Sequence, residues 1–376
     1  MARSAVAPIT ASMCPSKTES YMQFVRHSAL ILLPVIALLG SAGARSADCE
    51  VRPTEPGVEA YCGIVAPEDM VLYRDRFLIV SSMAFAEHLY LLDSESGSLE
   101  PMTTRLDAPA PGQGWGDPSC TPPSGMQTHG LDLAQLPDGS WRLLAVNHGG
   151  RESVEMFAVP WGSNGLPELQ WRGCVLAGDN AQFNDVAGLP DGGFLATDPL
   201  TASKHLPRML MGTLRINTGR VYRWRPEAGY EVVPHTAGAY PNGILLSADG
   251  NSFYLNLYLN NEVREHDLNS GEILNRVAVK KPDNSSLGPE GQLLVASHQA
   301  SVFTLLRVLR SGAAQTNQMA YDIVAIDLDS FEARPIYQSN GASLGGGTIA
   351  QALDGALYIG AFRGDRVIRV RGALAY

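Results

Sequence analysis

The apolar positions of this 376-residue chain fall in short runs, each introduced by a turn. The stretches "LPDGSWRLLAVN", "LPDGGFLATD", "SADGNSFYLNLYL", "GPEGQLLVASH" and "ALDGALYIGAF" share one layout. An Asp-Gly or Glu-Gly pair is followed by alternating or continuous apolar residues, the pattern of a hairpin turn feeding a β-strand. The turn glycines are Gly139, Gly192, Gly250, Gly291 and Gly355, and "VLYRDRFLIVSS" is a sixth, degenerate copy with Arg74-Asp75 in the turn. Six such units leave about 55 residues each, room for a four-stranded blade with its loops. The predicted fold is therefore all-β: a six-bladed β-propeller. A β-sandwich has no need of six copies, and a doubly wound α/β fold needs helices that the pattern lacks.

Two stretches break the strand pattern. In "SVFTLLRVLRSG" the residues Val302, Phe303, Leu305, Leu306 and Leu309 form a broad apolar helical face, with Arg307 and Arg310 opposite. It is expected as a helical insertion between two blades. It could pack on the core, close over one end as a lid, or touch a membrane surface through residues 301–310. "KHLPRMLMGTL" (204–214) is a second insertion of similar character.

Composition narrows the picture. A chain that is 45% hydrophobic and 18% charged can bury a substantial core. Its net charge of −10, with no long Lys/Arg cluster, argues against a nucleic-acid partner. At the N-terminus, Arg26 and His27 precede "SALILLPVIALLGSAGA", which closes on small residues at Ala44. This is the layout of a secretory signal over residues 1–44, with Met22 a plausible start. At about 15 apolar residues interrupted by Pro34, the segment is short for a membrane span. The expected mature protein begins between Arg45 and Asp48, forms one propeller domain over 45–376, and is periplasmic or secreted. Cleavage removes Cys14 and leaves Cys49, Cys62, Cys120 and Cys174. An even number in an exported chain suggests two disulfides, with Cys49–Cys62 and Cys120–Cys174 the preferred pairing of three. None of the four forms a C-x-x-C pair, which argues against zinc.

Polar residues stand just ahead of the turns: Glu68-Asp69, His129, Asn184-Asp185, Asn242 and Asp283-Asn284. The inner strand of each propeller blade lines the central channel, so these side chains can converge on the axis. Asn and Asp commonly do no more than cap turns, but five sites at matching repeat positions favour the channel. Nearly all are oxygen donors, the ligands of a hard cation such as Ca²⁺. Two divalent cations would balance Glu68, Asp69, Asp185 and Asp283, which otherwise repel one another.

The motifs "EDMVL", "HGLDL", "LLAVNHGGRESVEMF", "NDVAGLPDG", "PNGILLSADG" and "DNSSLGPEGQLLVASH" resemble, in the same order, those of the paraoxonase/arylesterase family. The resemblance runs from about Glu68 to His298 and weakens toward the C-terminus. The "CGIVAPED" opening and "GCV" segment also look like exported bacterial members of the broader gluconolactonase-like propeller superfamily. The resemblance implies a catalytic calcium held by Glu68, Asn184, Asn242, Asp283 and Asn284. It implies a second, structural calcium at Asp69, Asp185 and the backbone carbonyl of Leu131. It further implies His129 as general base, His148 as its support and His298 as another pocket histidine. The activity implied is hydrolysis of esters or lactones, with the carbonyl polarised by calcium and water activated by a histidine. The implied mechanism needs no serine nucleophile. Animal members join their termini by a disulfide, whereas no cysteine here lies beyond Cys174. Closure is therefore expected from strand pairing alone. Two alternatives stay open: a single-metal sugar lactonase of the gluconolactonase type, and a non-catalytic, calcium-stabilised binding propeller.

Overall fold

The computed structural model describes residues 56–84, 88–110, 114–178, 181–201 and 211–374. The signal-like segment, Cys49 and residues 204–210 of the second insertion lie outside these. The described strands form six sheets, and the protein is a six-bladed β-propeller. Blades 1 to 5 run in chain order through Met70–Pro101, Thr128–Leu176, Val186–Val232, Pro241–Ala278 and Pro282–Ser339. Blade 2 adds two short parallel strands, Thr104–Arg105 and Trp115–Gly116, outside its fourth strand. Blade 6 takes three strands from Gly347–Arg371 and its outermost strand, Val58–Cys62, from the start of the described chain. Val58 pairs with Val370 and Cys62 with Arg366, so the ring closes by antiparallel pairing.

All six predicted turns join the first and second strands of their blades. Gly139, Gly192, Gly250, Gly291 and Gly355 have φ between 69° and 91°, a conformation open to glycine at little cost. In the sixth turn Arg74 and Asp75 take up φ of 53° and 51° despite their side chains.

The second strands read as continuous apolar runs because both of their faces are buried. Leu143 packs with Tyr73 and Phe77 of blade 1, while its neighbour Leu144 packs with Phe183 and Phe194 at blade 3. Leu293 and Leu294 divide in the same way between blades 4 and 6. Every blade interface thus has its own apolar cluster. Each fully buried Leu or Val contributes about 1.5–3 kcal/mol.

Cys120 and Cys174 are disulfide-bonded with Cα atoms 5.7 Å apart, tying the loop before blade 2 to its outer strand. Cys62 is disulfide-bonded as well. The helical insertion, Val302–Leu309, is capped by Ser301, whose hydroxyl accepts from the Thr304 amide. It lies within blade 5, joining the second strand to the third, and not between two blades as the sequence suggested. Its buried face is also different. Leu305 and Val308 pack against Tyr258, Leu259, Met319 and Phe362, whereas Phe303 is 84% exposed. Inserting the helix between second and third strands sets it over the end of the channel where inner strands begin. Among the described residues no helix is long and apolar enough to cross a membrane.

Candidate active site

One residue per blade, at or just before the start of each inner strand, faces the channel. Glu68, His129, Asn184, Asn242, Asp283 and Thr348 line a single cavity of about 100 Å³. In four blades the strand register slips at this point: between Thr128 and Leu131, Pro241 and Ile244, Pro282 and Ser285, and Gly347 and Ile349. Such a β-bulge re-aims a side chain that regular pleating would direct into a blade interface.

The next residue along the chain has a second role. Going round the ring it is Asp69, Gly130, Asp185, Gly243, Asn284 and Ile349. The Asp69 carboxylate accepts from the amides of Met70 (2.8 Å) and Leu131 (2.7 Å), the latter in the next blade. The Asp185 carboxylate accepts from Val186 and from Ile244 in the next blade, both at 2.8 Å. Each Asp bonds to the residue that follows a glycine in the next blade, and that glycine is itself closely approached by the blade beyond. A Cβ on Gly130 would stand 2.2 Å from Asp185 Oδ1, and one on Gly243 would stand 2.4 Å from the Asp283 carbonyl oxygen. Hydroxyls complete the ring: Thr197 donates to the Asn242 carbonyl and Thr348 to that of Glu68, both at 2.6 Å.

The amide nitrogens of the channel residues are spent on their neighbours. Asn184 Nδ2 donates to His129 Nε2 (3.3 Å), Asn242 Nδ2 to Asp283 Oδ1 (2.6 Å) and Asn284 Nδ2 to Glu68 Oε1 (2.9 Å). Four oxygens are left buried with no hydrogen-bond partner: Glu68 Oε2 and the Oδ1 atoms of Asn184, Asn242 and Asn284. An unsatisfied buried acceptor costs about 1–3 kcal/mol. Around them, Glu68, Asp69, Asp185 and Asp283 are all buried. Among the described residues none of these four carboxylates makes an ion pair with Lys or Arg; only His129 and His298 approach, at 3.5 and 3.4 Å.

Burial, then Glu68, pushes the Asp69 carboxyl well above the usual carboxylate range. Burial with Asp69 does the same to Asp185, and burial with Glu68 to Asp283. Orphaned oxygens and uncompensated carboxylates together fit a hard, oxygen-seeking cation. Among the described residues no three His, Cys, Asp or Glu side chains form a ligand group; the donor set depends on amides.

His129 faces the cavity and is backed by a chain of hydrogen bonds. His129 Nδ1 and His148 Nε2 are 3.0 Å apart, and His148 Nδ1 lies 2.7 Å from Glu152 Oε2. His298, buried in the opposite wall, has Nε2 3.0 Å from the Gly347 carbonyl and Nδ1 2.8 Å from the Tyr258 hydroxyl. The carbonyl can only accept, so Nε2 carries the hydrogen and Tyr258 donates to Nδ1. Burial lowers the His298 pKa to about 4, which keeps it neutral near pH 7. Burial also raises the Tyr240 and Tyr258 hydroxyls, so both remain un-ionised.

Above the polar floor the wall is apolar: Met83, Tyr240, Tyr258, Phe362 and, from the lid helix, Leu305. Among the described residues no Lys or Arg lines the cavity.

The structure brings the proposed first-ion residues together. Glu68, Asn184, Asn242 and Asp283 line the cavity, and Asn284 bonds to Glu68. Asp69 and Asp185 bracket the inner-strand starts, and Leu131 enters that layer through its amide. His129 and His298 line the cavity, while His148 stands behind His129. Sequence reasoning missed Thr348, although "GTIAQALDG" carries it ahead of the turn at Gly355, where the same rule would have found it. It also missed Glu152, four residues beyond His148, and Tyr258, which directly follows its second strand.

Residues 170–317 match the family model described as SMP-30/gluconolactonase/LRE-like region. No curated protein matches the chain. Among solved structures, the chain is similar to a gluconolactonase from Xanthomonas campestris, at 16% identity over 84% of this chain and 88% of that one, with a TM-score of 0.49. A luciferin-regenerating enzyme is similar at 15% identity over 84% and 95% of the two chains, TM-score 0.49. A PQQ-bound aldose sugar dehydrogenase from Streptomyces coelicolor is similar at 13% identity over 84% and 97%, TM-score 0.49. Likeness at this level is silent about chemistry, since one propeller frame serves many sites.

Proposed function

We propose that the protein is a cation-dependent hydrolase of uncharged esters or lactones. The observation that carries this is the set of four orphaned, buried oxygens on Glu68, Asn184, Asn242 and Asn284, beside a histidine that lines the same cavity. Glu68, Asn184, Asn242, Asp283 and Asn284 would hold the cation, for which calcium is the best match to an all-oxygen donor set. When bound, such an ion supplies Lewis-acid polarisation of the substrate carbonyl. The lactonase side of the proposal is supported by the SMP-30/gluconolactonase-like match over residues 170–317.

The chain's own residues do the proton work. With Nδ1 engaged by His148, His129 offers Nε2 as a base toward the cavity. It takes a proton from water as the water oxygen bonds to the carbonyl carbon. The same nitrogen returns that proton to the alcohol oxygen as the C–O bond breaks. Neutral His298 and the un-ionised tyrosines add no charge beside the cation residues. Met83, Tyr258, Phe362 and Leu305 favour an apolar acyl or aryl group over a sugar, whose hydroxyls would find few free partners. A second cation between Asp69 and Asp185 would relieve their mutual repulsion. Each of their oxygens already accepts a backbone amide, so this ion would stabilise the fold and not touch substrate.

His129→Gln tests the assignment. Hydrolysis of phenyl acetate and of a medium-chain γ-lactone should fall by about 10²–10⁴-fold, the usual contribution of a general base. Calcium affinity and melting temperature should stay near wild type. Full activity in the variant would leave attack by solvent hydroxide as the mechanism.

A further inference from the structure

We infer that Glu152 is a positioning residue: its carboxylate sets the tautomer of His148 and, through it, keeps His129 Nε2 as the unprotonated nitrogen on the cavity side. This rests on the hydrolase proposal for its effect on rate; the tautomer follows from the hydrogen-bond chain and an ionised carboxylate at its end.

The loop His148–Glu152 joins the second and third strands of blade 2. Asn147, fully buried, accepts the amides of Gln127 and Gly149 on its Oδ1, each at 2.9 Å. Gly150, at φ 73°, then turns the chain back. A Cβ on Gly149 would stand 2.6 Å from the Gln127 amide nitrogen, so the loop is pressed against the strand that carries His129. The result is that Glu152 Oε2 meets His148 Nδ1 at 2.7 Å, and His148 Nε2 meets His129 Nδ1 at 3.0 Å.

The direction of the hydrogens follows from one end. An ionised carboxylate accepts only, so His148 Nδ1 carries the hydrogen. His148 Nε2 is then the acceptor, and His129 Nδ1 must donate to it. His129 Nε2 is left as a lone pair, where Asn184 Nδ2 approaches at 3.3 Å as a donor. Without the carboxylate both imidazoles can exchange tautomers, and in the reversed state His129 Nε2 carries a hydrogen and cannot act as a base. A carboxylate behind an imidazole orients it in the same way in serine hydrolases. Here the first imidazole passes the constraint to a second. The Glu152 side chain is 32% exposed, so replacing it leaves the core intact.

The test uses Glu152→Gln in the full-length, calcium-loaded protein, with Glu152→Ala as a second variant. Wild type should show, by ¹⁵N NMR of labelled histidines, one tautomer at each of His148 and His129: Nδ1–H in both. Both variants should show mixed tautomers at both residues, with unchanged melting temperature. With phenyl acetate, kcat should fall about tenfold while KM stays within twofold, a smaller loss than the 10²–10⁴-fold expected for the base itself. Unaltered tautomers, or unaltered kcat in an active enzyme, would overturn the role of Glu152. An inactive wild type would instead count against the hydrolase proposal, and the NMR arm would still decide whether Glu152 sets the tautomer.

Discussion

At the scale of single residues, the site depends on a two-residue rule repeated round the ring. The first residue faces the channel; in four blades the second is in turn an Asp that clasps the next blade or a glycine that the next blade approaches closely, with Asn284 and Ile349 in the other two. The Asn and Asp residues were legible in sequence because they recur ahead of turns. The family resemblance divided them between two ions; the clasp of Asp69 and Asp185 onto the next blade was not read from the sequence. Gly130 and Gly243 carried no signal on their own, since the reason for them is a contact across a blade interface. Gly243→Ala should destabilise the protein by about 1–3 kcal/mol through overpacking and weaken calcium binding by separating Asn242 from Asp283. Denaturant unfolding and a calcium titration check both. Asn242→Ala removes only a channel oxygen and one hydrogen bond, so hydrolysis should fall while melting stays close to wild type. Equal stability losses in the two variants would mean that position in the pair does not matter.

At the scale of elements, the turns between first and second strands announced the six blades, and each was found where expected. A second repeat went unread. "LDSESGS", "HDLNSGE" and "IDLDSFE" each close a third strand onto a fourth, with the amide of Asp93, Asp267 or Asp327 bonded five residues on. Their strands are shorter or more exposed, so the apolar pattern around them is weaker. The helix at 302–309 was legible as a helix. Its buried face was misread because Phe303 looks apolar whatever it touches, while Val308, absent from the expected face, joins Leu305 in the lid cluster. Leu305→Ala should raise KM for apolar esters several-fold with little change in kcat, measurable in steady-state kinetics; an unchanged KM would show that the helix is not part of the substrate wall. Asp185→Ala strips the acceptor from two buried amides, in separate blades. At about 1–3 kcal/mol for each unsatisfied group, it should lose much of its folded population before any specific activity can be read. A melting temperature close to wild type would show that the clasp does not hold the blades together.

At the scale of the whole molecule, the ring is closed by Val58–Cys62 on Arg366–Val370, as the absence of a late cysteine implied. Charge is the quantity that the ring manages least well without a cation. Asp69, Asp185 and Asp283 have folded-state pKa values raised above those of the unfolded chain. Their contribution is fully present below the unfolded value, about 3.9, and is lost as pH rises through the folded values. His298 is lowered to about 4, so its contribution runs the other way and is lost as pH falls from its ordinary value. Above about pH 6.5 the His298 contribution is fully present and no longer varies. Chelator-stripped protein should therefore melt at a lower temperature at about pH 8 than at about pH 6.5, and added calcium should raise the melting temperature more at the higher pH. Scanning calorimetry at both pH values, with and without calcium, checks the sign.

The central claim is that the orphaned oxygens of Glu68, Asn184, Asn242 and Asn284 hold a cation on which catalysis depends. Its most direct test is the rate of phenyl acetate and γ-lactone hydrolysis by chelator-stripped protein as calcium is returned. The account predicts no turnover without calcium and saturable recovery to the rate of untreated enzyme. Turnover that persists undiminished in chelator, by protein shown to be calcium-free, would contradict it.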